Sequence, residues 1–343
     1  MQKPASNTFS TVAIVGATGA VGNEFITLIE QRGWASERYV LLASARGAGR
    51  TLRLFDRDFT VRELTEASFE GADLALFSAG SGTSRRFAPL AVACGAVVVD
   101  NSSAFRMEPE VPLVVPEINP DDVRDHHGII ANPNCSTIIM VTAVWPLHRV
   151  NPVRRIVVST YQAASGAGLR AMEELRTQAR DVLDGKPVRP RAFPFQCAFN
   201  LFSHDSPIDE TGYNAEERKL AQETRKIFHD DTIQVTATCI RVPVLRAHSA
   251  AVNLTFESPI TPDEVREILS VAPGVRVVDQ TDPPHFPMPV EASGIDEILV
   301  GRIRQDISQP DGRGIDLFIS GDQLRKGAAL NAIQIAELLV QDR

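Results

Sequence analysis

The chain has 343 residues, of which 43% are hydrophobic and 23% charged, and its formal net charge is -8. This length predicts two globular domains, and the acidic balance without any long run of lysines and arginines argues against a nucleic-acid partner. No apolar run reaches the ~20 residues that span a bilayer, so we expect a soluble protein that acts on small molecules and has no membrane partner.

The opening segment "MQKPASNTFS" has one lysine and no apolar core. We therefore predict neither a secretory signal nor a transit peptide and expect a cytoplasmic protein. The four cysteines, Cys94, Cys135, Cys197 and Cys239, are far apart and form no CxxC pair, so reduced thiols are expected. The seven histidines show no metal-ligand spacing such as HExxH, so no metal cofactor is predicted.

The first predicted element is a strand that leads through the glycine turn "GATGAVG" into an amphipathic helix. Gly16, Gly19 and Gly22 follow one another at three-residue spacing. The turn is either a tight strand-to-helix connection or a site where backbone amides approach a pyrophosphate, and the strand and helix around it favour the second interpretation.

The second predicted strand ends in "LLASARGAGR", which places Ser44 and Arg46 where an acidic residue would select NAD. A hydroxyl and a cation there favour the 2'-phosphate of NADP. The alternative is that Arg46 is a solvated loop arginine. Further apolar runs, "YVLLAS", "ADLALFSAG" and "GAVVVDNSS", alternate with helix-like segments and predict a parallel sheet covered on both faces.

After Cys135 the sequence has long β-rich runs, "RRIVVSTYQAASGAG" and "TIQVTATCIRVPVLRAHSAAVNLTFE", with predicted helices over 169–183 and 214–228. In the second helix Asn214 is the expected N-cap, with Glu216 and Glu217 in the first turn. We predict an α+β domain with a mostly antiparallel sheet that is also suited to a subunit interface.

The segment "DPPHFPMPV" is predicted to be an extended surface loop, and "LRKGAALNAIQIAELLVQDR" a helix that packs back on the first domain. The predicted class is α/β, with a Rossmann-type NADP-binding domain over residues 1–134 and 325–343. Residues 135–324 are expected to form the catalytic and dimerisation domain.

Cys135 lies in "NPNCSTIIMVTAVWPL", where it would open an apolar helix after Pro133. A helix N-terminus stabilises a thiolate and would expose it, whereas the alternative is a buried structural thiol. We predict buried structural thiols for Cys94, Cys197 and Cys239, since they lie in apolar runs or next to aromatic residues.

Three further polar groups are candidates for chemistry. Gln162 follows a strand and precedes a small-residue loop, so its amide is placed to orient an acyl group. Arg241, Arg246 and His248 cluster in "CIRVPVLRAHSA"; an arginine fork suits a carboxylate and a histidine suits proton transfer. Taken alone, His248 also fits a structural histidine.

Five blocks together resemble aspartate-β-semialdehyde dehydrogenase: "VAIVGATGAVG", "ANPNCST", "STYQAASGAG", "CIRVPVLRAHS" and "LRKGAALNAIQIAELL". They occur in the family's order and cover the chain from end to end. The resemblance implies NADPH-dependent reductive dephosphorylation of L-aspartyl-4-phosphate to L-aspartate-4-semialdehyde, on the route to lysine, diaminopimelate, methionine, threonine and isoleucine. It also implies a homodimer.

The resemblance implies that Cys135 forms a thioester, that His248 is the general acid/base and that Gln162 orients the acyl intermediate and contacts substrate. It further implies that Arg241 binds the substrate α-carboxylate and Glu216 the α-amino group. The choice of Glu216 rests on the Glu-x-x-Lys spacing of "EERK", and the adjacent Glu217 is the alternative. The phosphate-binding residues that it implies are Lys219, Arg106 and Asn101. The cofactor-binding residues that it implies are Gly16, Ala17, Thr18, Gly19, Ala20, Val21, Ser44, Arg46, Ser165, Gly166 and Gln323.

The segment "NLFSHDSPIDETGYNAEE", residues 200–217, departs most from the family pattern. We expect its differences to affect the domain interface more than the chemistry, and His204 within it receives no role. Two other functions remain as alternatives. One is N-acetyl-γ-glutamyl-phosphate reductase, which shares the architecture and a thioester mechanism, and the other is a non-catalytic NADP-binding sensor.

Overall fold

The computed structural model describes residues 9–341, and this part of the chain divides into two compact units. The first unit contains the chain up to Pro133 and from Ala328 onwards, and the second contains Asn134 to Gly327. The predicted domain limits and the opening segment also include residues 1–8 and 342–343, which lie outside the described residues.

The first unit is built on a six-stranded sheet with the strand order β5-β2-β1-β6-β7-β8, and each pair of neighbouring strands is parallel. A separate hairpin pairs β3 with β4. The strands are Thr11–Val15 (β1), Arg38–Ala43 (β2), Thr51–Leu54 (β3), Arg57–Thr60 (β4), Arg62–Glu63 (β5), Leu74–Phe77 (β6), Val97–Asp100 (β7) and Ile129–Ala131 (β8). Its helices are Ala20–Gln31 (α1), Ser81–Ala93 (α2) and, at the C-terminal end, Leu330–Gln341 (α8).

Both faces of this sheet are covered, because alternate residues of β1 enter different hydrophobic cores. Val12 and Ile14 pack in one core with residues of α1 and α8, while Ala13 and Val15 pack in the other with residues of α2. The side chains of a strand alternate between the two faces of its sheet, so a strand buried on both faces needs an unbroken apolar run. This accounts for "VAIV" at the centre of the sheet.

The second unit is built on a seven-stranded sheet with the order β10-β11-β9-β12-β17-β16-β13. Its strands are Val153–Gln162 (β9), Phe202–Ser203 (β10), Gln234–Arg241 (β11), His248–Phe256 (β12), Val275–Val277 (β13), Ile298–Gln305 (β16) and Gly314–Gly321 (β17). Its helices are Cys135–Val150 (α3), Leu169–Leu183 (α4), Ala215–Phe228 (α5), Pro262–Ser270 (α6) and Pro289–Ala292 (α7).

The pairs β11 with β9 and β16 with β13 are parallel, and the other four are antiparallel. The α/β class, with a Rossmann-type parallel sheet followed by a mostly antiparallel one, is therefore confirmed. Within residues 9–341 no helix is both long and apolar enough to cross a membrane.

The segment "DPPHFPMPV" is more ordered than the extended loop predicted from its prolines. Gln280–Thr281 (β14) pairs antiparallel with Pro284–His285 (β15), and α7 begins at Pro289. Proline fits both places because the first position of a helix and a short edge strand do not need its missing N-H group.

Gly22 lies where α1 approaches the glycine turn most closely. A Cβ built on it would stand 2.2 Å from the carbonyl oxygen of Gly16 and 2.7 Å from the Cα of Ala17. Both atoms belong to the backbone and have no rotamer with which to move away. The three-residue spacing of glycines therefore has a packing cause in addition to any ligand.

We predict that Gly22→Ala lowers the free energy of unfolding by about 1–3 kcal/mol, because the added methyl group forces α1 away from the turn. Urea unfolding followed by circular dichroism measures the effect. Gly82→Ala is the matched control: Gly82 lies in α2, and its Cβ would meet nothing within 4 Å. Equal unfolding midpoints for the two variants would contradict the packing argument.

Candidate active site

The glycine turn of the first unit connects the end of β1 to the start of α1. Gly16 N and Ala17 N donate to the carbonyl oxygen of Leu42 at 2.8 and 3.0 Å, which holds the turn against the end of β2. Helix α1 has Gly19 at its N-cap, no side-chain capping bond and no acidic residue in its first turn. Such a helix N-terminus suits the pyrophosphate of a dinucleotide. The predicted cofactor residues in this turn are Gly16, Ala17, Thr18, Gly19, Ala20 and Val21.

Ser44 and Arg46 follow β2 and are both exposed. Residues 44–50, "SARGAGR", contain no carboxylate. A ribose with free hydroxyls is normally met by a carboxylate, whereas a 2'-phosphate is met by cations and hydroxyls. The residues at the end of β2 therefore fit a 2'-phosphorylated dinucleotide.

Asn101 and Arg106, predicted to bind phosphate, lie side by side in the first unit. Arg106 Nη2 donates to Asn101 O at 2.7 Å, and its Nε donates to Asn132 O at 2.9 Å. Asn101 Nδ2 donates to Phe77 O at 2.8 Å, while its Oδ1 is buried with no hydrogen-bond partner among the described residues. Arg106 is thus held in place by two backbone carbonyls.

Cys135 is the first residue of α3 and the second residue of the second unit. Its side chain is partly exposed, and the thiol is reduced. The N-cap is Asn134, whose Oδ1 accepts the amides of Ser136 at 3.0 Å and Thr137 at 3.2 Å. The sulfur atom therefore belongs to a capped helix N-terminus, where the helix dipole favours negative charge.

Asn134 is itself fixed by two buried carboxylates of α5. Its Nδ2 donates to Glu216 Oε1 at 2.8 Å, and its backbone N-H donates to Glu223 Oε2 at 2.6 Å. Glu216 and Glu223 are seven residues apart, which is about two helical turns and places both on one face of the helix. Helix α5 therefore sets the position of the residue that precedes Cys135.

The Glu216 carboxylate accepts hydrogen bonds from two other predicted site residues. Gln162 Nε2 donates to its Oε1 at 3.2 Å, and Lys219 Nζ to its Oε2 at 2.9 Å. Burial acts to raise the pKa of Glu216, but the Lys219 ammonium and the hydrogen bonds from Lys219 and Asn134 hold that pKa well below the usual range. Glu216 is therefore an anion, although its side chain is only 6% exposed.

The adjacent Glu217 has a different environment. Its Oε2 accepts the backbone N-H of Asn214 at 2.9 Å and its Oε1 that of Cys239 at 3.0 Å. Asn214 caps α5 in return by accepting the amide of Glu217 at 3.0 Å. Both oxygens of Glu217 thus bind backbone amides, whereas Glu216 binds side chains of other predicted site residues.

Arg241 ends β11 opposite Gln162, the last residue of β9. Its Nη1 donates to Ala163 O at 2.8 Å, its Nη2 lies 3.1 Å from His204 Nε2, and its Nε has no partner among the described residues. The guanidinium also lies over the ring of Phe193, 5.7 Å from the ring centre. Arg241 is 3% exposed, so its charge is buried. The contacts of Nη1 and Nη2 fix the orientation of the guanidinium.

His248 begins β12 and is 2% exposed. Its Nδ1 accepts the backbone N-H of Ala163 at 2.9 Å, and its Nε2 is buried with no partner among the described residues. Burial, assisted by Arg241, lowers the pKa of His248 to about 3. Because Nδ1 is an acceptor, the neutral ring carries its proton on Nε2, which is therefore a free donor.

Three predicted cofactor residues lie in the second unit, close to His248. A Cβ on Gly166 would stand 3.0 Å from both Cε1 and Nε2 of the ring, so only glycine leaves this side of His248 uncovered. Gln323 Nε2 donates to Ser165 Oγ, and its Oε1 accepts the amide of Ala247 at 2.9 Å. Gln323 thus joins the Ala164–Ala167 turn to the residue before His248.

The other cysteines differ from one another. Cys197 and Cys239 are buried as predicted, and burial raises the pKa of Cys197 to about 11 and that of Cys239 to about 12. The prediction for Cys94 was wrong, because this residue is exposed. It caps the C-terminal end of α2, and the apolar run around it is divided between that helix and β7.

The second unit thus brings together Cys135, Gln162, Glu216, Arg241 and His248. Lys219 joins them through Glu216, and the peptide of Ala163 contacts Arg241 and His248. Sequence reasoning missed Asn134, Glu223 and His204. Only Asn134 had a local signal, since asparagine is a preferred N-cap residue.

The chain matches the model of the semialdehyde dehydrogenase NAD-binding domain over residues 11–126 and that of the semialdehyde dehydrogenase dimerisation domain over residues 144–326. It is 55% identical to aspartate-semialdehyde dehydrogenase of Synechocystis sp., over 96% of this chain and 97% of that protein. It is 50% identical to the Aquifex aeolicus protein of the same name, over 96% and 98% of the two chains.

Among solved structures, aspartate semialdehyde dehydrogenase II from Vibrio cholerae, complexed with ASA, aligns with a TM-score of 0.94 and 42% identity. The alignment covers 98% of this chain and 99% of that one. These likenesses extend over nearly the whole length of both partners and confirm the resemblance carried by the five sequence blocks. The chain belongs to the aspartate-semialdehyde dehydrogenase family.

Proposed function

We propose that this chain reduces L-aspartyl-4-phosphate with NADPH to L-aspartate-4-semialdehyde and phosphate, on the route to lysine, diaminopimelate, methionine, threonine and isoleucine. One observation carries the proposal. Cys135 stands at a helix N-terminus whose cap, Asn134, is bound to the buried anion Glu216, and Glu216 also binds Gln162 and Lys219. A nucleophile, an amide donor, an anion and a cation are thereby held in one network.

The first step starts from the Cys135 thiolate, which the N-terminal amides of α3 stabilise. Sulfur attacks the acyl carbon, the bond from that carbon to the phosphate oxygen breaks, and phosphate leaves with the electron pair. The product is a thioester, which divides one difficult reduction into two easier steps. Gln162, whose amide is buried next to Glu216, orients the acyl group.

NADPH, when bound, supplies the hydride that reduces the thioester carbon. The residues that would hold it are the turn from Gly16 to Val21, with Ser44 and Arg46 in the first unit, and Ser165, Gly166 and Gln323 in the second. The fit is supported by the uncapped start of α1 and by the lack of a carboxylate at residues 44–50.

His248 stabilises the negative charge that develops in the second step. The Nε2-H of its neutral ring donates a hydrogen bond to the oxyanion that forms when the thioester carbon is reduced, and the ring keeps its proton. The carbonyl then reforms from the oxyanion, and the carbon-sulfur bond breaks with its electron pair to release the aldehyde and the Cys135 thiolate. The low pKa of His248 keeps the ring neutral before each turnover.

The substrate has a carboxylate, an ammonium group and a phosphate, and each has a complementary group. We assign the carboxylate to Arg241, whose fork is buried, and the ammonium group to the Glu216 anion. We assign the phosphate to Lys219, Arg106 and Asn101. The anionic Glu216 favours a free amino group over the neutral acetamide of an N-acetyl-γ-glutamyl phosphate, since an ammonium group brings a cation to this buried carboxylate and an acetamide brings none.

We further propose that two copies form a homodimer through the face of the seven-stranded sheet that presents Tyr161 and Phe318. Their rings lie 6.1 Å apart, and Ala251 of β12 lies in register between Ser159 of β9 and Phe318 of β17. Tyr161 is 38% exposed, which is unusual for a strand in the interior of a sheet. The dimerisation-domain model that matches residues 144–326 supports a dimer formed through the second unit. A cytoplasmic setting agrees with a reaction that needs a reduced thiol.

We predict that Cys135→Ala lowers turnover by about 1,000-fold or more, because the thioester no longer forms. NADPH binding, followed by fluorescence titration, should stay within about twofold of wild type. The assay runs in the oxidative direction with aspartate semialdehyde, phosphate and NADP, and arsenate should replace phosphate. The control is Cys94→Ala, an exposed thiol outside the site. Unchanged turnover in Cys135→Ala would exclude the thioester.

We predict that Glu216→Gln lowers kcat/KM for aspartate semialdehyde by about 100-fold, because the substrate ammonium group loses its buried counter-ion. In the same assay Glu217→Gln should retain kcat/KM within about fivefold and instead lower the melting temperature, since Glu217 serves the start of α5. Wild-type activity with N-acetylglutamate semialdehyde alone would overturn the substrate assignment.

We predict that Phe318→Asp converts a dimer into monomers at micromolar concentration, because it places a charge in an apolar contact between two copies. Light scattering after size-exclusion chromatography measures the mass. Val271→Asp is the control, since Val271 is 83% exposed at the end of α6. A Phe318→Asp protein with the mass of the wild-type dimer would refute this choice of face.

A further inference from the structure

His204 lies in the segment 200–217 that departs from the family pattern, and the mechanism above does not use it. Its Nε2 is 3.1 Å from Nη2 of Arg241, the group assigned to the substrate carboxylate. The side chain is only 14% exposed. The imidazole of His204 is therefore largely buried and contacts the buried guanidinium of Arg241.

The direction of this hydrogen bond follows from the chemistry of arginine. A guanidinium has donors only and keeps its proton, so Arg241 donates and His204 Nε2 accepts. The neutral ring then carries its proton on Nδ1, which donates to Ser206 Oγ at 3.2 Å. Ser206 N also lies 3.3 Å from Nδ1, and in this tautomer that longer contact is not a hydrogen bond. If Nε2 of His204 is protonated, its N-H group faces an N-H group of Arg241, and the hydrogen bond is lost because neither nitrogen can accept.

Ser206 carries the connection to the start of α5. Its hydroxyl donates to Asn214 Oδ1 at 3.3 Å and accepts the backbone N-H of Glu216 at 3.1 Å. Asn214 is the N-cap of α5. A chain of hydrogen bonds thus leads from the guanidinium of Arg241 to the helix turn that carries Glu216, the group assigned to the substrate ammonium.

Hydrogen bonds at both ends orient the guanidinium, which also lies over the ring of Phe193. Nη1 donates to the carbonyl oxygens of Ala163 at 2.8 Å and of Gln162 at 3.5 Å, and Nη2 donates to His204 at 3.1 Å. A two-point contact between arginine and a carboxylate depends on the orientation of that plane. Loss of the His204 contact leaves the end that bears Nη2 free to rotate about the Ala163 contact.

We propose that His204 is a positioning residue that fixes the plane of Arg241 for the substrate carboxylate and ties it, through Ser206, to the helix turn of Glu216. This inference rests on the proposed function, because that function gives Arg241 and Glu216 their substrate groups. It differs from the sequence expectation, which linked this segment to the domain interface.

Charged and titratable groups face His204 from the surrounding elements. The charged ones are Arg241 on β11, Glu216 and Lys219 on α5, and Asp205 beside it in the chain, and the neutral ring of His248 lies on β12. Burial lowers the pKa of His204, Arg241 and Lys219 act in the same direction, and Glu216 and Asp205 oppose them. The ring is therefore neutral at neutral pH, and its bond to Arg241 is lost as pH falls through that lowered pKa.

The test compares two variants in the phosphate-dependent oxidation of aspartate semialdehyde. His204→Leu removes the acceptor, and we expect KM for aspartate semialdehyde to rise roughly tenfold with kcat within about twofold of wild type. His204→Gln offers an amide oxygen that does not titrate, and we expect KM to return to within about threefold of wild type near pH 8. His285→Gln, in an exposed ion pair with Glu291, is the control.

The pH dependence of KM distinguishes positioning of Arg241 from a purely structural role of His204, because a structural role predicts the same pH dependence in wild type and in His204→Gln. As pH falls below the ordinary titration range of histidine, the wild-type KM for aspartate semialdehyde should rise relative to that of His204→Gln, in which nothing at this position titrates. The ratio of the two proteins cancels titration of the substrate and phosphate. The alkylation rate of Cys135 should be equal in all variants, because Arg241 is not part of the helix cap.

The outcomes separate the two proposals. If wild-type protein does not oxidise aspartate semialdehyde, the proposed function fails and the inference fails with it. If wild type is active but His204→Leu keeps its KM, only the inference is overturned. If His204→Leu does not fold, the decision rests on His204→Gln, and a constant KM ratio to wild type across the pH series overturns the inference.

Discussion

The buried carboxylate of Glu216 is the constraint on which the second unit's chemistry depends. A carboxylate with 6% of its side chain exposed is tolerable only when its oxygens are filled by donors and its charge is balanced. Asn134 and Gln162 donate to one oxygen and Lys219 to the other. Those donors lie on three elements: the start of α3, the end of β9 and the N-terminal half of α5.

This requirement gives the site its rigidity. Asn134 is the N-cap of the helix that begins at Cys135, so the carboxylate that balances the network also limits where the sulfur atom can be. Glu223 repeats the arrangement two turns further along α5 by accepting the backbone N-H of Asn134. The peptide of Ala163 orients Arg241 and His248 in the same way, with its oxygen and its N-H respectively.

Local patterns in the sequence were enough to predict much of the fold. The helix over residues 214–228 with Asn214 as its cap was foreseeable, because capping preferences and apolar spacing are properties of neighbouring residues. The same holds for the glycine turn and for the helix that begins at Cys135.

What could not be predicted depends on residues far apart in the chain. The bond from Asn134 to Glu223 spans 89 residues, and that from Arg241 to His204 spans 37. The parallel pairing of β11 with β9 is also a long-range choice. Cys94 was predicted to be buried because the residues around it are apolar. It is exposed because α2 ends at this point and a turn follows.

The ion pair between Lys219 and Glu216 has a consequence for how a charged ligand enters. The two groups lie 2.9 Å apart and balance each other, so neither is an unpaired charge before a ligand binds. A ligand that brings its own cation and its own anion can exchange partners with this pair, with no net charge added to the interior. A ligand that brings only one of the two separates the pair and leaves one member unmatched. The ion pair of Lys219 and Glu216 thus selects for a molecule that carries both charges.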